Sequence, residues 1–406
     1  MRKVYLEKKP LAEARELFFE ALEERGFFTP AEEEIAVIEA LGRVTSRPVR
    51  AKRSAPHFRS SAMDGIAVRS RATRGARNDR PLRLREGQDF VYIDTGEPLP
   101  EGFDAVIMIE QVNEVGPGEV EIYEAAFPGQ HVRQVGEDFR EGEVVVPQNF
   151  RLTPEAIAAL INTGNLTIHV KRKPRGLFIP TGSELRPPEG PLGEAAGVPE
   201  SNSQIFKGYF RMWGGDPEVW PIVEDRYGPI KETFLRAVEE GFDLIVIGAG
   251  TSKGREDFTA AIIDELGQVL VHGVGIAPGK PVILGLIEDK PVVGLPGYPV
   301  AAWVCIIQFV KPLLERYFGC GFPEPPKVKA KLARKVPSSL GMREFVRVKL
   351  DGDLARPLPG GSSRLSSLLQ ADGIVEISEE VEGLKRGAEV DVWLLQTFPY
   401  SIAMDS

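Results

Sequence analysis

Residues 243–247, DLIVI, constrain the fold more than any other stretch of this chain. A short apolar, β-branched run of this kind marks a strand buried on both faces, as in parallel sheets covered by helices. The loop that follows, Gly248-Ala249-Gly250-Thr251-Ser252-Lys253-Gly254, carries three glycines. Its backbone can therefore turn tightly and lie against a ligand. A helix is expected from Glu256, with acids in its first turn and Gly267 at its end. Strand, glycine loop and helix start together present N–H groups to an anion. Gly279-Lys280-Pro281 adds a cation ahead of another strand, and Gly294-Leu295-Pro296-Gly297 adds a second tight turn.

The alternation extends upstream. Residues 177–180 read as a strand, with Thr181-Gly182-Ser183-Glu184 as the turn leaving it. Ser201-Asn202-Ser203 is the expected cap of a helix running to about Trp213. Residues 218–223 form the next strand, with Glu224-Asp225 at its exit, and residues 229–240 a helix. This order implies a mostly parallel sheet with helices on both faces. Ligands sit at the carboxyl ends of the strands in such sheets. Glu184, Asp225, Ser252, Asp257 and Lys280 all fall there. The glycine loop is neither a Walker A sequence nor a Rossmann fingerprint, since both spacings are absent. Three acids and a lysine suit a phosphorylated ligand with Mg²⁺, which takes one or two carboxylates plus phosphate oxygens. Asp225 and Asp257 are the candidate ligands, and Glu184 is a third ligand or an acid/base. Each, taken singly, also reads as a helix cap.

The rest of the chain is organised around this region. Residues 10–26 have helical periodicity, and residues 30–42 read as a second helix closed by Gly42. A β-rich insertion follows over residues 51–147, with Asp64-Gly65 in a turn and seven arginines between Arg69 and Arg85 on a solvated loop. Residues 153–164 return to helix, with Thr153 as N-cap and Pro154 after it. Residues 299–317 read as one long core helix. Strands over 328–333, 344–350, 373–378 and 389–395 make a small barrel or sandwich. The expected domains are 1–50 with 148–172 (helical), 51–147 (β insertion), 173–325 (α/β) and 326–406 (β-barrel). A net charge of −9 over 406 residues implies no general affinity for nucleic acid or anionic membranes. Two cysteines fit a reducing cytoplasm. Four scattered histidines exclude the His-Glu-x-x-His zinc pattern. The first ten residues have no apolar leader core, and no apolar run approaches the ~20 residues of a membrane helix.

Six motifs, in order, resemble the molybdopterin molybdenumtransferase family, known as MoeA and as the E domain of gephyrin. They are SSAMDGIAV (60–68), DTGEPLPEGFDAVIM (94–108), PTGSEL (180–185), GAGTSKGREDFT (248–259), PGKP (278–281) and GLPGYPV (294–300). The resemblance covers essentially the whole chain. It implies an elongated homodimer of four-domain protomers that takes adenylated molybdopterin and molybdate. Such an enzyme cleaves the phosphoanhydride with Mg²⁺, inserts the metal into the dithiolene and releases AMP. By motif, Asp64 and Thr95 of one protomer would face the α/β domain of the other. Glu184, Asp225 and Asp257 would line the pterin-nucleotide and Mg²⁺ site. Ser252 and Lys280 would face phosphate or oxyanion, with Gly248, Gly250, Thr251, Gly254, Pro278, Gly279, Pro296 and Gly297 around the ligand. Ser366 or Ser367 resembles a serine of the last domain. Three positions depart from the family pattern. Ala277 stands where a lysine is usual, and Tyr298 and Ala301 stand where asparagine and serine are. These changes suggest a non-catalytic pterin-binding scaffold as an alternative; a tungstate-preferring enzyme is a close variant of the first reading.

Overall fold

The computed structural model describes residues 8–189, 197–248 and 256–395, with the side chains of Glu256 and Asp257 outside that description. It divides into two compact units, residues 32–171 and residues 1–31 with 172–406.

The second unit is built on the expected sheet. Its strands are β1 (Arg175–Pro180), β2 (Asp216–Val219), β3 (Leu244–Gly248), β4 (Gly267–His272), β5 (Ile283–Ile287) and β6 (Lys290–Leu295). The order is β2-β1-β3-β6-β5-β4, and the first four are parallel. β5 lies antiparallel between β6 and β4. The connecting helices are α1 (Asn202–Met212), α2 (Tyr227–Glu239) and α3 (Glu256–Leu266). Leu177, Ile245, Ile247, Phe234 and Ile262 are all fully buried in one cluster between sheet and helices. That burial is why the strands read as continuous apolar runs rather than alternating ones.

Residues 299–317 are helical but not one regular helix. α4 (Pro299–Cys305) passes through a π-helical segment, Ile306–Val310, into α5 (Lys311–Phe318). The cause is Pro312, which has no N–H to give Gln308 four residues earlier. The Gln308 carbonyl instead accepts Arg15 Nε at 2.8 Å, from the amino-terminal helix Leu11–Glu23.

The carboxy-terminal region is a closed five-stranded barrel of β7 (Lys327–Leu332), β8 (Arg343–Asp351), β9 (Leu354–Pro357), β10 (Gly373–Ile377) and β11 (Glu389–Leu394). The ring runs β8-β9-β7-β11-β10 and closes between β10 and β8. β9 was not expected from the sequence, because it is short and ends in proline. Its hairpin turn at Gly352, with φ +60°, pairs it to β8.

In the first unit, Gly65–Val68 is the middle strand between Phe90–Ile93 and Ala105–Met108. A second three-stranded sheet joins Leu82–Arg85, Glu119–Ile122 and Val112–Gly116. Both pack on Ile66, Phe90, Val120 and Ile122. The expected helix over 30–42 is instead the strand Glu32–Ala36, antiparallel to Thr167–Lys171, followed by a short 3-10 turn, Val37–Glu39. Three consecutive glutamates favour helix locally. Pairing with Thr167–Lys171 overrides that preference, and Glu34 is held by the Thr167 hydroxyl at 2.6 Å.

Replacing Arg15 with methionine leaves the Gln308 carbonyl without its donor. Chemical denaturation should show a loss of about 1 kcal/mol, the scale of one hydrogen bond to a part-buried acceptor.

Candidate active site

The strand order reverses between β1 and β3, since the strand after β1 lies on one side and the neighbour of β3 on the other. This makes a crevice at their carboxyl ends. Thr181, just past β1, closes its floor. Its N–H and its hydroxyl both donate to the Gly248 carbonyl at the end of β3, at 3.0 and 2.7 Å. Gly182 adopts φ +151°, which turns the chain so that Glu184 folds back. A Cβ at Gly182 would lie 3.0 Å from both Glu184 carboxylate oxygens. Glu184, Gly248 and Gly297 then line one cavity of about 270 Å³, with Glu200 and Asn202 opposite. Glu200 is buried and accepts the Ser203 N–H at 3.0 Å, so it caps α1 where Ser201 was expected to. Asn202 donates to the Gly297 carbonyl at 2.9 Å, which fixes the turn after β6 (Pro296 and Gly297) against α1. Tyr298 also lines the cavity and is 48% exposed. Ala301 is buried in α4.

Asp225 lies two residues beyond Val223, which is bridged to Thr181 and donates to the Pro180 carbonyl at 2.8 Å. It is half-buried at the same end of the sheet. Gly250, Thr251, Ser252 and Gly254, and the Asp257 side chain, lie outside the described residues. Among the described residues, no three His, Cys, Asp or Glu side chains converge as a metal cage. A hard cation that keeps waters and takes phosphate oxygens does not need one. The half-buried Asp225 carboxylate at the strand ends suits that donor chemistry.

A second cavity of about 520 Å³ lies where the barrel meets the segment before β5. Ile276–Ala277 pairs in parallel with Arg343 and Glu344 of β8, so Ala277 and Pro278 line this cavity together with Arg347. Gly279 follows with φ +123°, and a Cβ there would meet Cys305 Sγ at 2.9 Å. Lys280 is exposed and lines neither cavity. Ser366 is exposed at the start of a short helix, Ser366–Gln370. The neighbouring Ser367 is buried and accepts Arg347 Nε at 3.2 Å. Arg347 and Glu200 were not singled out from the sequence. Arg347 is a single charge inside a strand and Glu200 one before a helix, and both resemble ordinary surface positions.

In the other unit, Asp64 and Thr95 are bonded to each other. One Asp64 oxygen accepts both the Thr95 N–H and its hydroxyl, each at 2.7 Å. Those two bonds hold the carboxyl pKa below its ordinary value. Both residues are solvent-exposed.

Three family models match in order: the MoeA N-terminal region over 9–164, a molybdopterin-binding domain over 177–316 and the MoeA C-terminal region over 329–395. A Methanocaldococcus jannaschii protein named for molybdopterin biosynthesis is 36% identical, covering 95% of this chain and 98% of its own. Molybdopterin molybdenumtransferase 2 of Mycobacterium tuberculosis is 31% identical over 88% of this chain and 94% of its own length. The crystal structure of a molybdopterin biosynthesis MoeA protein from Pyrococcus horikoshii superposes with a TM-score of 0.79 at 35% identity, covering 97% of this chain and all of that one. The chain belongs to the MoeA family.

Replacing Thr95 with valine removes the hydroxyl donor and keeps the N–H. The Asp64 pKa should rise part of the way toward ~3.9 in an NMR titration. The sign follows from the depressed folded value. The stabilisation from these bonds is present above the unfolded pKa and is lost as pH falls through the folded one.

Proposed function

We propose that this protein inserts molybdate into adenylated molybdopterin and releases AMP in an Mg²⁺-dependent step in the cytoplasm. The observation that carries this reading is the in-order match of the three family models, together with whole-chain similarity to relatives named as molybdenumtransferases. The 270 Å³ cavity at the strand switch supports the placement of the pterin nucleotide. Gly248 and Gly297 would admit the ligand backbone-close, with Glu184 and Asn202 beside it. Asp225 would hold Mg²⁺ with Asp257 and Glu184, and the bound ion would offset charge on the phosphoanhydride as it breaks. The loop N–H groups, Ser252 included, would face the phosphates, and Lys280, outside both cavities, would meet only a part of the ligand that extends beyond them. The 520 Å³ cavity suits the oxyanion, because Arg347 presents a buried cation there. Asp64 and Thr95 would reach this site from the second protomer of a homodimer. No helix of the described residues is long and apolar enough to cross a membrane.

The three departures from the family pattern favour a second reading, a scaffold that binds the pterin without turnover. Incubation with adenylated molybdopterin, Mg²⁺ and molybdate or tungstate separates the two. AMP release coupled to reconstitution of an apo-molybdoenzyme supports the transferase. Release with tungstate alone moves the metal assignment. Tight pterin binding with no release by either metal leaves the scaffold.

Asp225→Asn should lower Mg²⁺-dependent AMP release by roughly 10²-fold, the scale of losing one group that stabilises developing charge, while nucleotide binding in EDTA persists. A shared site makes a further prediction. Mixing inactive Asp64→Ala with inactive Asp225→Asn protomers should restore activity to roughly one quarter of wild type, because statistical pairing leaves one intact site in half of the dimers. No recovery after verified subunit exchange would place both residues in one protomer's site.

A further inference from the structure

The 520 Å³ cavity is lined by three cations, Arg334, Lys335 and Arg347, and one acid, Glu344. Arg347 is 6% exposed. Its guanidinium donates to neutral acceptors: Ser367 Oγ at 3.2 Å, the Gly360 carbonyl at 2.7 Å, and the Phe345 and Gly361 carbonyls at 3.4 Å. Burial alone pulls its pKa down. Arg343, four residues earlier, is instead held by Glu376 and Glu379. Glu344 lines the cavity without bonding to Arg347, and among the described residues no carboxylate pairs with it, so its charge is offset only by an anion that comes within reach. The wall provided by Ala277 and Pro278 carries no charge. On the barrel wall, Arg334 Nη2 donates to the Pro357 carbonyl at 2.9 Å, which holds the loop after β7 at the rim. Lys335 is the next residue along and is exposed.

We propose that Lys335, with Arg334 behind it, supplies the charge for a tetrahedral oxyanion that this chain lacks at position 277. The anion is then gripped from the barrel rather than from the loop before β5. A lysine is the suitable replacement, because its ammonium is a compact point charge on a flexible stem. Arg334 is tethered and sets the position of the loop. This inference rests on the functional reading above and adds the residue that recognises the oxyanion.

The test uses the full-length protein and titrates molybdate and tungstate by calorimetry, with AMP binding measured in parallel. Lys335→Ala should weaken oxyanion binding roughly tenfold, the scale of one charge-assisted hydrogen bond at a partly screened site. AMP binding should not change, and Lys335→Arg should keep most of the affinity. Ala277→Lys placed in the Lys335→Ala background should restore binding, since it returns a cation to the opposite wall. Lys335 is exposed, so loss through misfolding is checked by an unchanged melting curve. Unchanged oxyanion affinity in Lys335→Ala, or a loss that Ala277→Lys does not repair, overturns the inference alone. Wild-type protein that binds neither oxyanion overturns both the inference and the reading beneath it.

Discussion

Two hydrogen bonds to one oxygen hold the working end of the α/β unit. Thr181 gives its N–H and its hydroxyl to the Gly248 carbonyl, joining the strand ends where the order of the sheet reverses. Strand β1 would otherwise end in a flexible Thr-Gly-Ser turn. With that turn pinned, Glu184 is folded back toward the crevice, and Val223 is bridged to Thr181 from the other side. The crevice therefore follows from topology, while its exact walls follow from one threonine. Replacing the hydroxyl would leave a fully buried carbonyl with one donor fewer in a region of low dielectric.

The second cavity depends on a different constraint. A two-residue segment, Ile276–Ala277, adds to the barrel as a strand parallel to β8. The Arg343 N–H also donates to the Gly275 carbonyl at 2.8 Å. Backbone pairing of this kind is indifferent to side chains, so position 277 can change from one residue to another without moving the wall. Charge can therefore be redistributed between the loop and the barrel while the cavity keeps its shape. In the same way, the Val300 N–H donates to the Ser362 carbonyl at 3.0 Å and ties the start of α4 to the barrel.

Most of the α/β unit was legible from the sequence, because its strands are buried on both faces and its helices are amphipathic. The motifs named Asp64 and Thr95, but the bonds between them were not legible. Taken by composition, Asp64 is a turn aspartate, and its partner is 31 residues away. The strand Glu32–Ala36 was not legible, since its partner, Thr167–Lys171, lies beyond the whole β insertion. Local propensity cannot report a pairing that distant. The charged wall of the second cavity was hidden for the same reason. Arg334, Arg347 and Ala277 meet only after the barrel has closed and taken in the segment before β5. The π-helical step was written in the sequence as Pro312, four residues after Gln308, although its partner Arg15 was not.

That last contact has a consequence for biosynthesis. Arg15 and Gln308 are 293 residues apart. At about 5–20 residues per second, a ribosome needs on the order of 15–60 s to make the second after the first. The segment Leu11–Glu23, with Leu11, Ala14, Phe18 and Leu22 buried in the folded chain, must spend most of that interval without its docking surface, since its other contacts, on Gly267–His272, are also made late. The intervening unit, residues 32–171, can meanwhile complete its own cores, because its first and last strands pair with each other. The nascent chain thus carries an exposed apolar segment ahead of a finished domain.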